Sequence, residues 1–156
     1  MRSVQHGPVV VVRFDRYPTP AIERAVDALT LEAHEACGEP ITFVAILPEP
    51  ADAPPSLFRD RLETRSRDSR HVTSSVHLVI EGDEPAAKLR RSAISALAHH
   101  AHGYRLKVHA RAERALIAAG AERSLDPSPL FEAAREAGVL PARVGDGAQA
   151  WYGTGP

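Results

Sequence analysis

The sequence predicts a single α/β domain: a mostly parallel sheet of four or five strands with helices packed on it. Three observations predict it. Continuous β-branched runs mark strands covered on both faces. Capped amphipathic segments of 10–20 residues alternate with those runs, an order that implies right-handed crossovers. No internal repeat breaks the pattern. The expected domain spans residues 1–140, and residues 141–156 form a Gly-rich tail, flexible or laid on the surface.

"PVVVVRF" (Pro8 to Phe14) is the first expected strand. Thr19 then reads as an N-cap with Pro20 in the first helical position, and Ile22, Val26, Leu29 and Ala33 recur at helical spacing up to the stop at Gly38. "ITFVAIL" (Ile41 to Leu47) is the second strand, followed by the proline-rich loop "PEPADAPP". A weaker helix is expected from Ser56 to Arg70, anchored by Leu57, Phe58 and Leu62. "SSVHLVIEG" is the third strand and "EPAAKLRRSAISALAHHAHG" the third helix. On that helix, Leu89, Ala93, Leu97 and Ala101 form the expected buried arc, with Ile94 at its margin. "YRLKVHA" alternates like an edge strand. "AERALIAAG" is a short helix stopped by Gly120. The last helix is expected to start with Ser128 and Pro129 and to end at Gly138.

A chain of 156 residues can bury a real core, and its net charge of −1 gives no bulk attraction to nucleic acid or to an anionic membrane. No apolar run approaches the roughly 20 residues of a membrane span. The N-terminal apolar run is too short for a signal peptide. The lone Cys37 excludes an intramolecular disulfide. A cytoplasmic location is the resulting expectation. Arginine outnumbers lysine 17 to 2, a bias expected of a GC-rich bacterial genome, which weakens any argument from arginine clusters.

Neither catalysis nor metal binding finds a constellation. The glycines of "GDGAQAWYGTG" lack the strand and helix that a phosphate cradle needs. Trp151 and Tyr152 in the same tail suit a docked or partner-binding terminus. His99, His100, His102 and His109 show no zinc-ligand spacing, so no metal or other cofactor is expected. Cys37 lies near a helix C-terminus, where the dipole disfavours a thiolate, and no serine sits in a G-x-S-x-G elbow. The arginine-rich run Arg59–Arg70 has no aromatic after Phe58 on which bases could stack. The expectation is a protein that is not an enzyme.

The stretch that most invites a functional reading joins the third strand to the third helix. Glu81, Asp83 and Glu84 form an acidic turn, and Lys88, Arg91, Ser92 and Ser95 gather on the outer arc of the helix. A surface mixing both signs favours an oriented protein partner over a polyanion. Ser92 is a candidate phosphorylation site, with Lys88 and Arg91 within a turn. Charge reversal at Arg91 is expected to leave stability nearly unchanged.

The order of elements from "VVVVRF" to the last helix, and the stretch "GYRLKVHARAERALIAAGAERSL" above all, resembles STAS domains over residues 8 to 138. These are the domains of anti-sigma-factor antagonists and of the cytoplasmic parts of sulfate transporters. In the antagonists a serine or threonine at the start of the helix after the central strand is phosphorylated, within an Asp-Ser-Ser-Gly-like motif. The matching stretch here is "RRSA": Arg91 stands at the phosphorylated position, Arg90 at the aspartate and Ala93 at the glycine, and Ser92 alone matches. What the resemblance implies is therefore a regulatory module that docks a protein partner through this helix N-terminus. A homodimer is compatible with it. A small-ligand or lipid-binding domain of SEC14-like type, recognised by an apolar cavity, is the alternative.

Overall fold

The computed structural model describes residues 1–16, 18–47, 68–98 and 105–142. Five strands, β1 (Arg2–His6), β2 (Val9–Arg13), β3 (Ile41–Leu47), β4 (Thr73–Ile80) and β5 (Arg105–His109), form one sheet in the order β1-β2-β3-β4-β5. The last four run parallel, and β1 pairs antiparallel with β2 through a tight hairpin. The fold class is therefore α/β, as the alternating pattern predicts. The hairpin adds a strand that the apolar pattern does not announce. "RSVQH" lies at the sheet's edge with three of its five residues exposed, so it needs no hydrophobic run.

Four helices are described: α1 (Pro20–Cys37), α2 (Pro85–Leu97), α3 (Ala112–Glu122) and α4 (Pro127–Glu136). Parallel strands added in sequence order with right-handed crossovers place α1, between β2 and β3, and α2, between β4 and β5, on one face of the sheet. Val26 and Ala33 of α1 and Ala87 of α2 accordingly pack with Val10, Val12, Phe14, Ala45, Leu47, Leu78 and Ile80. The chain leaving β5 covers the other face. There Ala115, Leu116 and Ala119 of α3 and Leu130 and Ala134 of α4 meet Val9, Val11, Val44, Ile46 and Val79. Burial on both faces explains why all four valines of β2 are fully enclosed.

The caps of α1 are those the sequence specifies. Thr19 Oγ1 accepts from the Ile22 N–H at 3.5 Å, and Gly38 closes the helix in the left-handed conformation at φ 71°. At the far end of the chain the boundaries move. Helix α3 continues through Gly120 to Glu122, and α4 starts two residues earlier than Ser128, on Asp126 and Pro127. Asp126 accepts the Ser128 N–H at 3.0 Å, and that bond holds its carboxyl below the usual range. Gly120 is thus a packing residue and not a stop. A Cβ there would stand 3.4 Å from the Leu125 carbonyl oxygen, where the turn between α3 and α4 folds back over the helix.

Candidate interaction surface and a buried histidine cluster

The junction singled out in the sequence is the β4–α2 connection at the carboxyl edge of the parallel strands, the edge at which open α/β sheets commonly bind ligands. Two arginines fix it. Arg13, at the end of β2, donates both terminal nitrogens to the Glu81 carboxylate at 3.1 Å and its Nε to the Val139 carbonyl at 2.6 Å. Arg91 reaches back from α2 and donates one nitrogen to the carbonyls of Ile80 and Gly82, at 2.7 and 2.8 Å. The strand end, the turn and the helix are tied together from both sides.

Glu81 and Arg91 are therefore half-buried anchors, not free surface charges, and charge reversal at Arg91, expected from the sequence to leave stability nearly unchanged, removes the donor of two hydrogen bonds. Asp83 and Glu84 are exposed, with Asp83 3.8 Å from Arg111. Lys88, Ser92 and Ser95 are exposed, as their place on the outer arc requires. The buried arc differs from the expected one at Leu89 and Ala93; the Leu97 side chain and Ala101 lie outside the described residues. Ala87 is enclosed and Arg91, Ile94 and Ala98 follow it at helical spacing, whereas Leu89 is 72% exposed and Ala93 faces solvent. The reason is the small residue. Ala87 lets the helix approach β4 closely, and Arg91 must pass beneath the helix to reach the strand-end carbonyls. Leu89 is left outside, between Lys88 and Ser92.

A second cluster lies under α3, and the sequence reading missed it. Ser75 and His77 of β4 and Thr42 of β3 are fully enclosed on the face that α3 covers. Glu122, in the last turn of α3, points into them. The Ser75 hydroxyl donates to Glu122 Oε2 at 2.6 Å, and His77 Nε2 lies 3.2 Å from the same oxygen. Lys107 Nζ stands 2.6 Å from Oε1 as its ion partner, although that buried oxygen receives no well-aligned hydrogen bond. Next along the chain, Arg123 donates to Thr42 Oγ1 at 2.8 Å, to Ser74 Oγ at 2.6 Å and to the Pro40 carbonyl. Its remaining nitrogen reaches Glu39 at 3.2 Å. The network spans three strands and holds the C-terminal end of α3 to the sheet.

His77 Nδ1 is 3.0 Å from His109 Nε2, with the two rings nearly parallel at 15°. The hydrogens follow from the partners. A carboxylate only accepts, so His77 Nε2 carries a hydrogen and its Nδ1, in the neutral ring, accepts from His109 Nε2–H. Burial holds both imidazoles below their usual range: His77 is lowered in spite of Glu122, and His109 is pushed down to about 4, with His77 and Lys107 adding to the effect. Burial pulls the Glu122 carboxyl up, but Lys107, Ser75 and His77 outweigh it and hold the group at about 2.

Among the described residues no group of three or more His, Cys, Asp or Glu side chains is placed to hold a metal ion, and no helix is long and apolar enough to cross a membrane. His99, His100, His102, the run Arg59–Arg67 and the Trp151–Tyr152 tail lie outside the described residues. No family model, curated protein or solved structure gives a significant match to this chain.

Proposed function

We propose that this protein is a regulatory module that binds a protein partner through the β4–α2 edge, the role that the STAS-like pattern of its sequence implies. The observation that carries the reading is Leu89. A leucine 72% exposed on a helix, flanked by exposed Lys88, Ser92 and Ser95 and by the acidic pair Asp83 and Glu84, is an apolar centre with a mixed-charge rim. The anchoring by Arg13 and Arg91 supports the same reading, because a surface already ordered loses less entropy on binding. Charges of both signs around one apolar contact select an oriented protein surface over a polyanion. Phosphorylation of Ser92, on this exposed face, would add negative charge beside Lys88 and alter that match.

A photo-crosslinking residue placed at position 89 tests the surface in the cell, with one at Leu31 on α1 as the control, since Leu31 is also exposed, at 45%. A partner captured from position 89 and not from position 31 is then titrated against the wild type and Leu89→Glu. The expected loss of affinity is about tenfold or more, the size of a buried interface contact. Equal capture at both positions, or unchanged affinity of a folded Leu89→Glu protein, sinks the assignment.

A further inference from the structure

The geometry points to His109 as a phosphoryl-acceptor site, a covalent modification site taking its group from an acyl phosphate, with His77 as the base behind it and Glu122 as the group that orients the base. A nucleophile within hydrogen-bond reach of a base, and a third group fixing that base, is the arrangement by which proteins activate weak nucleophiles. Here the two links are 3.0 Å (His109 Nε2 to His77 Nδ1) and 3.2 Å (His77 Nε2 to Glu122 Oε2). The site is independent of Leu89 and the β4–α2 edge.

Three observations assign the roles. The hydrogens forced by the carboxylate leave His109 Nδ1 with a free lone pair. Among the described residues that atom has no hydrogen-bond partner. His109 is only half-buried and is the more open ring of the pair, while His77 behind it is fully enclosed. Second, Arg105, Lys107 and His109 alternate along β5 and so share one face of the sheet, with Lys107 the cation nearest the imidazole on its own strand. Lys107 disfavours the protonated form of both rings and Arg105 that of His77, so the lone pair is available at neutral pH. Lys107, paired with Glu122 through one side and half-exposed on the other, favours a transferred group that is an anion, a phosphoryl over a neutral acyl group. Third, the remaining groups facing the cluster are already committed. Ser75 donates to Glu122, and Thr42 and Ser74 are held by Arg123.

The step balances within these residues. The His109 Nδ1 lone pair forms the N–P bond as the P–O bond of the acyl phosphate breaks, and the carboxylate leaves with that electron pair. The Nε2 proton of His109 passes to His77 Nδ1. His77 becomes an imidazolium paired with the Glu122 carboxylate, and His109 is left as a neutral ring bearing the phosphoryl group.

The test incubates the full chain with acetyl phosphate and follows the product by phosphorus NMR and peptide mass spectrometry. A phosphoramidate, stable to base and labile to acid, is expected on His109 alone. His109→Gln should abolish it, and His6→Gln, on β1, should leave it unchanged. His77→Gln should keep the label on His109 but slow its appearance about 100-fold, the low end of what a general base contributes. Circular dichroism of each variant checks folding, and the site of labelling in the wild type is decisive even where His77→Gln fails to fold. No phosphoramidate on the folded wild type, or a label on another histidine, overturns the proposal. A folded His77→Gln protein labelled at the wild-type rate overturns the relay and leaves an ordinary surface imidazole.

Discussion

The two faces of the sheet carry the same strands but different chemistry. The face under α1 and α2 is apolar throughout its buried part, from Val10 and Val12 to Leu78 and Ile80. The face under α3 and α4 is apolar only toward β2 and the strand ends. Across β3, β4 and β5 it holds Thr42, Ser75, His77 and His109, closed over by Glu122 and Arg123. Hydrophobic burial holds α1, with Arg91 added as a polar tie on α2, and burial alone does not select among small slides of a helix. A buried carboxylate and guanidinium do, because each must meet its partners within about 3 Å or remain unsatisfied at a cost of about 1–3 kcal/mol. The comparison teaches that α3 is placed by polar registry on top of apolar packing.

The largest effect that could break this comparison is expected in the apolar part of the polar face. Leu130 of α4 is fully enclosed between α3 and the sheet. Leu130→Ala should cost about 2–5 kcal/mol in urea unfolding, the range for a buried leucine that leaves a cavity. A loss below 1 kcal/mol would mean that α4 contributes little to closing this face.

A single cut in the polar registry should come next. Glu122→Leu leaves the His77 Nε2 hydrogen and the Ser75 hydroxyl without their acceptor and Lys107 without its ion partner. About 3 kcal/mol is expected, the cost of removing one partner from a buried pair. The double variant His77→Phe with Glu122→Leu should recover most of it, since replacing both buried partners by apolar groups is often neutral. A double variant as unstable as the sum of its parts would show that the cluster contributes net stability and not registry.

These residues also explain which parts of the molecule were legible in the sequence. Strands β2 and β3 announce themselves because both faces are covered, so all but Arg13 and Thr42 are apolar. Helix α1 does so because Thr19, Pro20 and Gly38 act locally. The cluster is invisible for a matching reason. Ser75 and His77 alternate with Val76 and Leu78 in a strand that reads as half-polar, and their partners lie 32 or more residues away in the chain. Gly120 concealed the rest, since ending the helix there leaves Glu122 and Arg123 in a loop. The glycine sits inside the helix under the Leu125 carbonyl oxygen, which lies 3.4 Å from where a Cβ would stand, a contact no local pattern encodes. The face of α2 was misread because alanines carry no directional signal and the buried stripe contains an arginine. Leu89 was the obvious anchor, and it lies outside.

The acid side of the stability curve sharpens the contrast, and its sign follows from the buried groups. Both histidines have folded pKa values below their ordinary value of 6.5. The unfolded chain then binds more protons than the folded one as pH falls, so stability present above about pH 6.5 is lost on the way down to about 4. Glu122, lowered from 4.5 to about 2, extends the loss in the same direction through that lower window. Urea midpoints measured at pH 7, 5.5 and 4.5 should fall steadily for the wild type. His109→Gln should flatten the curve between pH 6.5 and 4.5 and leave the drop below 4.5 in place. An equally steep curve in that variant would remove His109 from the account.

The smallest effects are expected on the outer face of α2, where they separate an anchor from a surface. Lys88 and Ser92 are exposed and, among the described residues, make no side-chain contact that fixes the fold, so Lys88→Ala and Ser92→Ala should each change stability by no more than about 0.5 kcal/mol. Arg91, one turn from Lys88, differs in kind. Arg91→Ala deprives the carbonyls of Ile80 and Gly82 of a charged donor at 2.7 and 2.8 Å and should cost about 1–3 kcal/mol. Water reaching those strand-end carbonyls would recover part of the loss and set the value within the range. Thermal melts of the three variants side by side decide it. If Arg91→Ala is as harmless as Lys88→Ala, the β4–α2 turn is not held from the helix side, and the ordered surface around Leu89 rests on the Arg13–Glu81 pair alone.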